Sequence, residues 1–328
     1  MKYRKFSDLG WDVSEIGLGC WEIGGSWGDV SEHDARGILK QALDKGVNFF
    51  DTADMYGDGR SEKFLAELIK STSEKIYVTT KLGRRVRGTN YPWGYNQEPM
   101  EEFIDRSLIN LGIDCIDLLQ LHCPPSEICS KKETYEMMDE IVKIGKIKYY
   151  GVTVHKLSDA MEAIQFPNVK SIQIVFNIFR QKPAEDFLKE AKKRNVGILA
   201  RGPLASGLLT GTISQETKFP EYDHRNYNID GKSFDVGDTF SGVNFEKGLM
   251  VVEKLKELLP DNFSLTELAL KWILMHDEVS VVIPGAINKS QVQMNASASD
   301  LEDISSFLLP KINSIYDELI KPDVHNRW

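Results

Sequence analysis

The chain has 328 residues, 41% of them hydrophobic and 27% charged, the balance of ordinary globular material with a sizeable core. Its formal charge of −9, with no Lys/Arg run to outweigh that field, excludes a phosphate backbone as the main partner. No segment approaches the roughly 20 apolar residues of a membrane helix, and the start "MKYRKFSDLGWDVSEIG" has no apolar stretch behind its basic residues. The expectation is a mature cytoplasmic protein that engages neither nucleic acid nor membrane.

After a short N-terminal segment, expected to form a β-hairpin, eight β-rich runs follow: "EIGLGCW", "VNFFDT", "KIYVTTK", "CIDLLQLH", "KIKYYGVTV", "VKSIQIVFN", "NVGILAR" and "VSVVIPG". Segments of helical period lie between them. In "SEHDARGILKQALDKG", Ser31 caps the start, Asp34 falls in the first turn and Gly46 closes the end. The same period recurs in "EPMEEFIDRSLINLG", "KKETYEMMDEIVKIGK", "SDAMEAI", "PAEDFLKEAKKRN" and "SLTELALKWILMHD". Strands alternating with helices imply a parallel α/β architecture. Eight such units predict a (β/α)8 TIM barrel, one domain over residues 1–328 with long loops at its C-terminal face. A doubly wound open sheet is the competing fold.

The opening "GLGCWEIGG" supplies Gly17 and Gly19 of a dinucleotide-binding GxGxxG, but Glu22 stands where the third glycine must be, and the next helical pattern begins only near Ser31. A glycine-rich strand exit is the better reading. The longest irregular stretch, Gly202 to about Asn244, is rich in Gly, Asp, Asn and Ser, and a loop of that length in a compact barrel is more often functional than a linker. Cys20, Cys115, Cys123 and Cys129 form no CxxC pair and read as reduced, packed thiols.

In a barrel the chemistry sits at the carboxyl ends of the strands. The polar residues there are Asp51 with Tyr56 just beyond it, Lys81, His122, Thr153, Gln173 and Arg201. Taken singly, Lys81 reads as a solvated lysine and His122 as a hydrogen-bonded core histidine. On successive strand exits they read as a site. A phenol, with an ordinary pKa of about 10, releases its proton more easily beside a cation, which Lys81 can supply, and Asp51 can be the counter-charge of a buried ammonium. His122 can hold and polarise a carbonyl oxygen. Such a site protonates an oxygen while another group attacks the carbonyl carbon, and a hydride donor completes it economically. A metal set of His122, Cys123 and Cys129 is disfavoured, because neighbours on a strand point to opposite faces.

These blocks, together with "FFDTADMYGDGRSE", "VTTKLG", "SLINLGIDCIDLLQLHCPP", "YYGVTVH", "SIQIVFN", "GPLASGLLTG" and "IPGAINKSQVQMN", resemble the aldo-keto reductases over essentially the whole chain, in particular the branch with bacterial general reductases and the potassium-channel beta subunits. The resemblance implies a catalytic tetrad of Asp51, Tyr56, Lys81 and His122, with Tyr56 as proton donor to a small carbonyl substrate. It also implies a nicotinamide cofactor, usually NADPH, at the carboxyl end of the barrel. Implied cofactor contacts are Gly19, Cys20, Trp21, Asp51, Thr153, Gln173, Arg201, Gly202, Pro203, Leu204, Ser206, Gly207, Gly285, Gln291 and Asn295. The family's Ser-Asn pair at the fifth strand is here Thr153 and Val154, and an aromatic residue against the nicotinamide is here Arg201. Where relatives often carry an arginine for the 2'-phosphate this chain has Ile287, so Lys289 is the expected substitute and NADH or dual use is the alternative. Trp21, Trp27, Tyr91 and Trp93 are the candidate walls of a substrate pocket, with the long loop and the tail "KPDVHNRW" setting substrate choice. Two alternatives to a reductase are a cofactor-sensing subunit of a larger assembly and a barrel lyase using Lys81 as a Schiff-base nucleophile. Asp54 is left to shape its turn or rim the pocket.

Overall fold

The structure, a computed structural model, describes residues 1–25, 30–84, 97–260 and 263–328. Strands β1 (Tyr3–Phe6) and β2 (Trp11–Ser14) form the expected antiparallel hairpin. Eight further strands lie side by side in sequence order, all pairings parallel: β3 (Leu18–Gly19), β4 (Phe49–Asp51), β5 (Tyr77–Leu82), β6 (Ile116–His122), β7 (Ile147–Thr153), β8 (Val169–Val175), β9 (Gly197–Arg201) and β10 (Val281–Val282).

The sheet curls until its two edges meet. Parallel bridges join Ile16 to Val282 and Gly19 to Gly285, with the Gly17 N–H donating to Val282 O at 2.8 Å and the Gly19 N–H to Pro284 O at 3.0 Å. The fold is therefore the closed TIM barrel, and closure removes the unpaired edge that an open sheet would carry. Each predicted run contains its strand, except that β5 extends one residue beyond "KIYVTTK", to Leu82. The two at the seam are shorter than their apolar runs, because the ladder there is carried by isolated bridges.

The barrel interior is divided by chemistry. At the N-terminal end Phe6 and Trp11 of the hairpin plug it against Phe49, Tyr77, Leu118, Leu199, Val281 and Ile283. Phe6 stacks on Phe49 at 5.6 Å and Trp11 on Tyr77 at 4.5 Å, each such buried side chain worth about 1.5–3 kcal/mol. The bottom is sealed and apolar, so polar groups inside the barrel collect at its C-terminal end.

Helices fill the crossovers, and several start where the sequence places a cap. Ser31 accepts from the Asp34 N–H at 3.1 Å ahead of Glu32–Asp44. Ser264 and Glu267 form a reciprocal capping box ahead of Leu265–Leu274, and Asn288 accepts from the Gln291 N–H at 2.9 Å ahead of Lys289–Ser297. Each cap contributes about 1 kcal/mol. The C-terminal residues do not reach the mouth as a free tail. Trp328 is buried, its indole N–H donates to Asp235 at 2.9 Å and the Arg180 guanidinium lies over its ring at 3.8 Å, so the tail buttresses the long loop from behind.

Candidate active site

The turn after β4 is built so that a phenol stands over the end of its neighbour strand. The β4/β5 ladder continues past Asp51, with the Thr52 N–H donating to Thr79 O at 2.8 Å and the Asp54 N–H to Lys81 O at 3.1 Å. The chain then folds back through Tyr56 N–H to Ala53 O and Arg60 N–H to Gly57 O, both 3.1 Å. Gly57, at φ 59°, lies against Gly24, where any Cβ would come within 2.0 Å of the Gly24 carbonyl oxygen. That contact holds Tyr56 in place.

Lys81, near the end of β5, is the centre of the group. Its Nζ donates to Asp51 Oδ2 at 2.6 Å, to Thr52 O at 2.9 Å and to the Tyr56 hydroxyl at 3.3 Å. Asp51 Oδ1 accepts from Gln173 Nε2 at 2.8 Å. A second chain of side chains crosses the interior: Thr153 donates to Gln120 at 3.0 Å, and Gln120 to Thr79 at 3.2 Å. The ring of His122 stands edge-on to Tyr56, centroids 6.1 Å apart.

Burial and charge set the protonation states. Burial pushes the Tyr56 phenol up, and the pull of Lys81 in the other direction does not outweigh it. Lys81 therefore eases proton loss, as expected, without making Tyr56 an anion in the free protein. Burial would depress Lys81, but Asp51 and Tyr56 more than offset it and the ammonium keeps its charge. His122 is lowered well below the ordinary histidine range, first by burial and then by Arg84, Lys81 and Arg201, so it is a neutral imidazole.

These groups open into a cleft of about 590 Å³ at the C-terminal mouth. Gly19, Cys20, Trp21, Asp51, Tyr56, His122, Thr153, Gln173, Arg201, Gly202, Pro203, Leu204, Ser206, Gly207, Gly285, Gln291 and Asn295 all line it. Lys81 lies just beneath. Lys289 departs from the expectation: it is absent from the lining, and its aliphatic chain lies against Gly37, where a Cβ would be 2.5 Å from Lys289 Cε. As the first residue of its helix it is directed along the neighbouring Glu32–Asp44 helix instead of over the cleft. Ile287 does line the cleft. Trp27, Tyr91 and Trp93 lie outside the described residues. Asp54 is buried and outside the lining, which leaves the turn-shaping reading and removes the rim one.

The long loop supplies a wall. Trp21 packs on Tyr56 at 6.1 Å, on His224 at 5.0 Å and on Phe234 at 6.3 Å. Asn228 holds that loop, accepting from the Ser233 and Phe234 N–H groups at 2.9 and 3.0 Å. Ser206, expected only as a cofactor contact, accepts from the Phe240 N–H at 3.0 Å and so ties the glycine-rich turn to the loop.

Sequence reasoning missed five ionisable lining residues: Glu22, Arg84, Cys123, Arg225 and Asp238. Glu22 was read only as a spoiled glycine fingerprint. Its carboxyl rests on Gly285, occupying the place of a Cβ there, and burial raises it to about 7 against its own backbone N–H and Arg225. Cys123 contradicts the strand rule used against it: at φ 50° it leaves the β6 geometry, so it and His122 both face the cleft. Among the described residues no cluster of His, Cys, Asp or Glu is suited to hold a metal ion.

Comparison with known proteins agrees with this fold. Residues 15–317 match the model of the aldo/keto reductase family. The uncharacterized oxidoreductase YqkF of Bacillus subtilis is 30% identical, with 92% of each chain covered. The aldo-keto reductase yakc [NADP(+)] of Schizosaccharomyces pombe is 29% identical over 87% of this chain and 84% of its own. The holo form of aldo-keto reductase AKR11C1 from Bacillus halodurans superposes with a TM-score of 0.76 at 28% identity, covering 96% of both chains. The chain belongs to the aldo/keto reductase family of oxidoreductases.

Proposed function

We propose that this chain is an NADPH-dependent reductase of aldehydes or ketones, reversible in principle, in which Tyr56 gives the proton. The observation that carries the reading is Lys81, charged and buried, bonded to Asp51 on one side and 3.3 Å from the Tyr56 hydroxyl on the other. The Tyr56 phenol stays protonated until a developing alkoxide needs it. Lys81 then lowers the cost of the phenolate left behind, and Asp51 keeps Lys81 charged while Gln173 and Thr52 satisfy the remaining polar atoms. The neutral His122 donates an N–H to the carbonyl oxygen without competing as an acid.

A nicotinamide cofactor fits the cleft. The amide of Gln173 and the hydroxyl of Thr153 suit a carboxamide; the main chain from Gly202 to Gly207 suits a diphosphate, with Gly285 beside it under the Glu22 carboxyl; Gln291 and Asn295 on the capped helix suit the adenosine end. Bound there, it supplies the hydride. NADPH is favoured by the NADP(+)-named yeast relative, whereas Ile287 and the displaced Lys289 provide no cation for a 2'-phosphate, so NADH remains the competing ligand. A Schiff-base role for Lys81 needs a neutral amine, which its ion pair opposes.

The test is a panel of aldehydes and ketones followed by loss of NADPH and NADH absorbance, with Tyr56→Phe alongside. Turnover that depends on the phenol supports the reading; cofactor binding with no carbonyl turned over would point to the sensing subunit instead.

A further inference from the structure

His122 and Cys123 are consecutive and both line the cleft, yet the proposed chemistry uses only the first. The main chain makes the second available. His122 ends β6, the Cys123 N–H donates to Thr153 O at 2.9 Å, and the left-handed φ of 50° at Cys123 turns its side chain inward. Such a conformation is costly for a side chain other than glycine and collects at functional sites.

The thiol joins a cationic cluster. The ring of His155, just beyond β7, is the group that draws it toward the thiolate most strongly. Arg84 Nη2 lies 2.7 Å from His155 Nε2, Arg201 Nη2 lies 3.1 Å from His155 Nδ1, and Asp238 pairs with Arg201. Burial alone would push the Cys123 thiol up; His155, Arg84 and Arg201 outweigh it and bring the thiol down to about 7. The other cysteines shift the opposite way, Cys20, Cys115 and Cys129 all being raised by burial. A cysteine becomes a nucleophile where cations stabilise its thiolate and a reagent can reach it, and Cys123, only 8% exposed, is approached from the cleft that it lines.

We propose that Cys123 is a second reactive site of the cleft, a thiolate that captures soft electrophiles, in particular α,β-unsaturated aldehydes and ketones. The choice of electrophile rests on the carbonyl-reductase reading: a group that holds a carbonyl oxygen and one that attacks a conjugated carbon share a single cavity. The sulfur forms a bond to the β carbon, the electron pair of the C=C bond passes to the α carbon, and that carbon takes a proton from water. The product is a thioether with the carbonyl intact, and nothing is oxidised or reduced.

The experiment treats the full-length protein at pH 7 with trans-2-hexenal, with hexanal as the saturated control, and reads intact mass and peptide maps. One adduct on Cys123 is expected, absent from Cys123→Ser and from the hexanal sample. Alkylation of Cys123 by iodoacetamide should rise through a midpoint near pH 7, and at that pH Cys115 should react at least about tenfold more slowly. Preferential labelling of Cys115 or Cys20, or a Cys123 midpoint above about pH 8.5, overturns the proposal. Mass rather than turnover is read, so the two readings fail separately. A chain labelled at Cys123 that reduces no carbonyl refutes the reductase alone, and one that reduces carbonyls with Cys123 unlabelled refutes the thiolate alone.

Discussion

Lys81 and Asp51 form an ion pair of 2.6 Å at the ends of neighbouring strands, their side chains only 1% and 5% exposed. Removing two charges from water is expensive, and the pair is tolerated because Thr52, Tyr56 and Gln173 satisfy the polar atoms it leaves over. Each charge depends on the other.

Lys81→Met should therefore destabilise the fold by about 3–5 kcal/mol in urea denaturation at pH 7, because Asp51 is left buried without a counter-charge. Replacing both, as Lys81→Met with Asp51→Leu, should recover most of that stability while turnover stays lost. A single variant as stable as the parent would mean that water reaches the pair.

Tyr56→Phe removes one hydroxyl from the cleft and leaves the ion pair in place. Turnover of a good aldehyde should fall by about 10²–10⁴, the usual contribution of a positioned acid. Cofactor affinity, read from quenching of tryptophan fluorescence, should be nearly unchanged. If turnover survives, the proton comes from elsewhere.

Asp54 makes a stability prediction with a defined pH window. Burial, reinforced by Glu62, raises it from 3.8 to about 7. Between those values the folded chain holds a proton that the unfolded chain has released, so stability falls as pH rises from about 4 to 7. Asp54→Asn removes this loss. Its advantage over the parent should be near zero below pH 4, grow through the window and level off above it at roughly 2–4 kcal/mol. Thermal denaturation across pH measures it, and a constant difference would show that Asp54 does not titrate there.

Glu22 makes a binding prediction. Its carboxyl rests on Gly285, raised to about 7, where the cofactor's diphosphate is expected. Arg225 and Asp51 are the charges that act on it. Once ionised, it opposes an incoming anion, so affinity for both NADPH and NADH should fall as pH rises from 6 to 8, by roughly tenfold, or about 1.4 kcal/mol. Glu22→Gln should flatten the profile. Parallel profiles for parent and variant would remove Glu22 from the cofactor site.

The eight strands were legible because each is a short apolar run ended by a local polar signal, and the capped helices because Ser31, Ser264 and Asn288 act within four residues of themselves. The meeting of Asp51, Tyr56, Lys81 and His122 was legible for a related reason. Strand order in a barrel is chain order, so Asp51, Lys81 and His122, all at or near strand ends, had to converge on one mouth. Four features depended on closure and on backbone detail that residue types do not encode. Glu22 and Gly285 meet only because β3 and β10 join at the seam. Cys123 faces the cleft only because its φ is positive, against the alternation of a strand. Lys289 misses the cleft because the helix it begins packs along Glu32–Asp44. Arg201 is held by Asp238, from the long loop, which no periodicity could have paired with β9. Local chemistry thus determined the barrel and the polar groups at its mouth, while contacts between residues distant in sequence decided which other groups share the cleft and how they are charged.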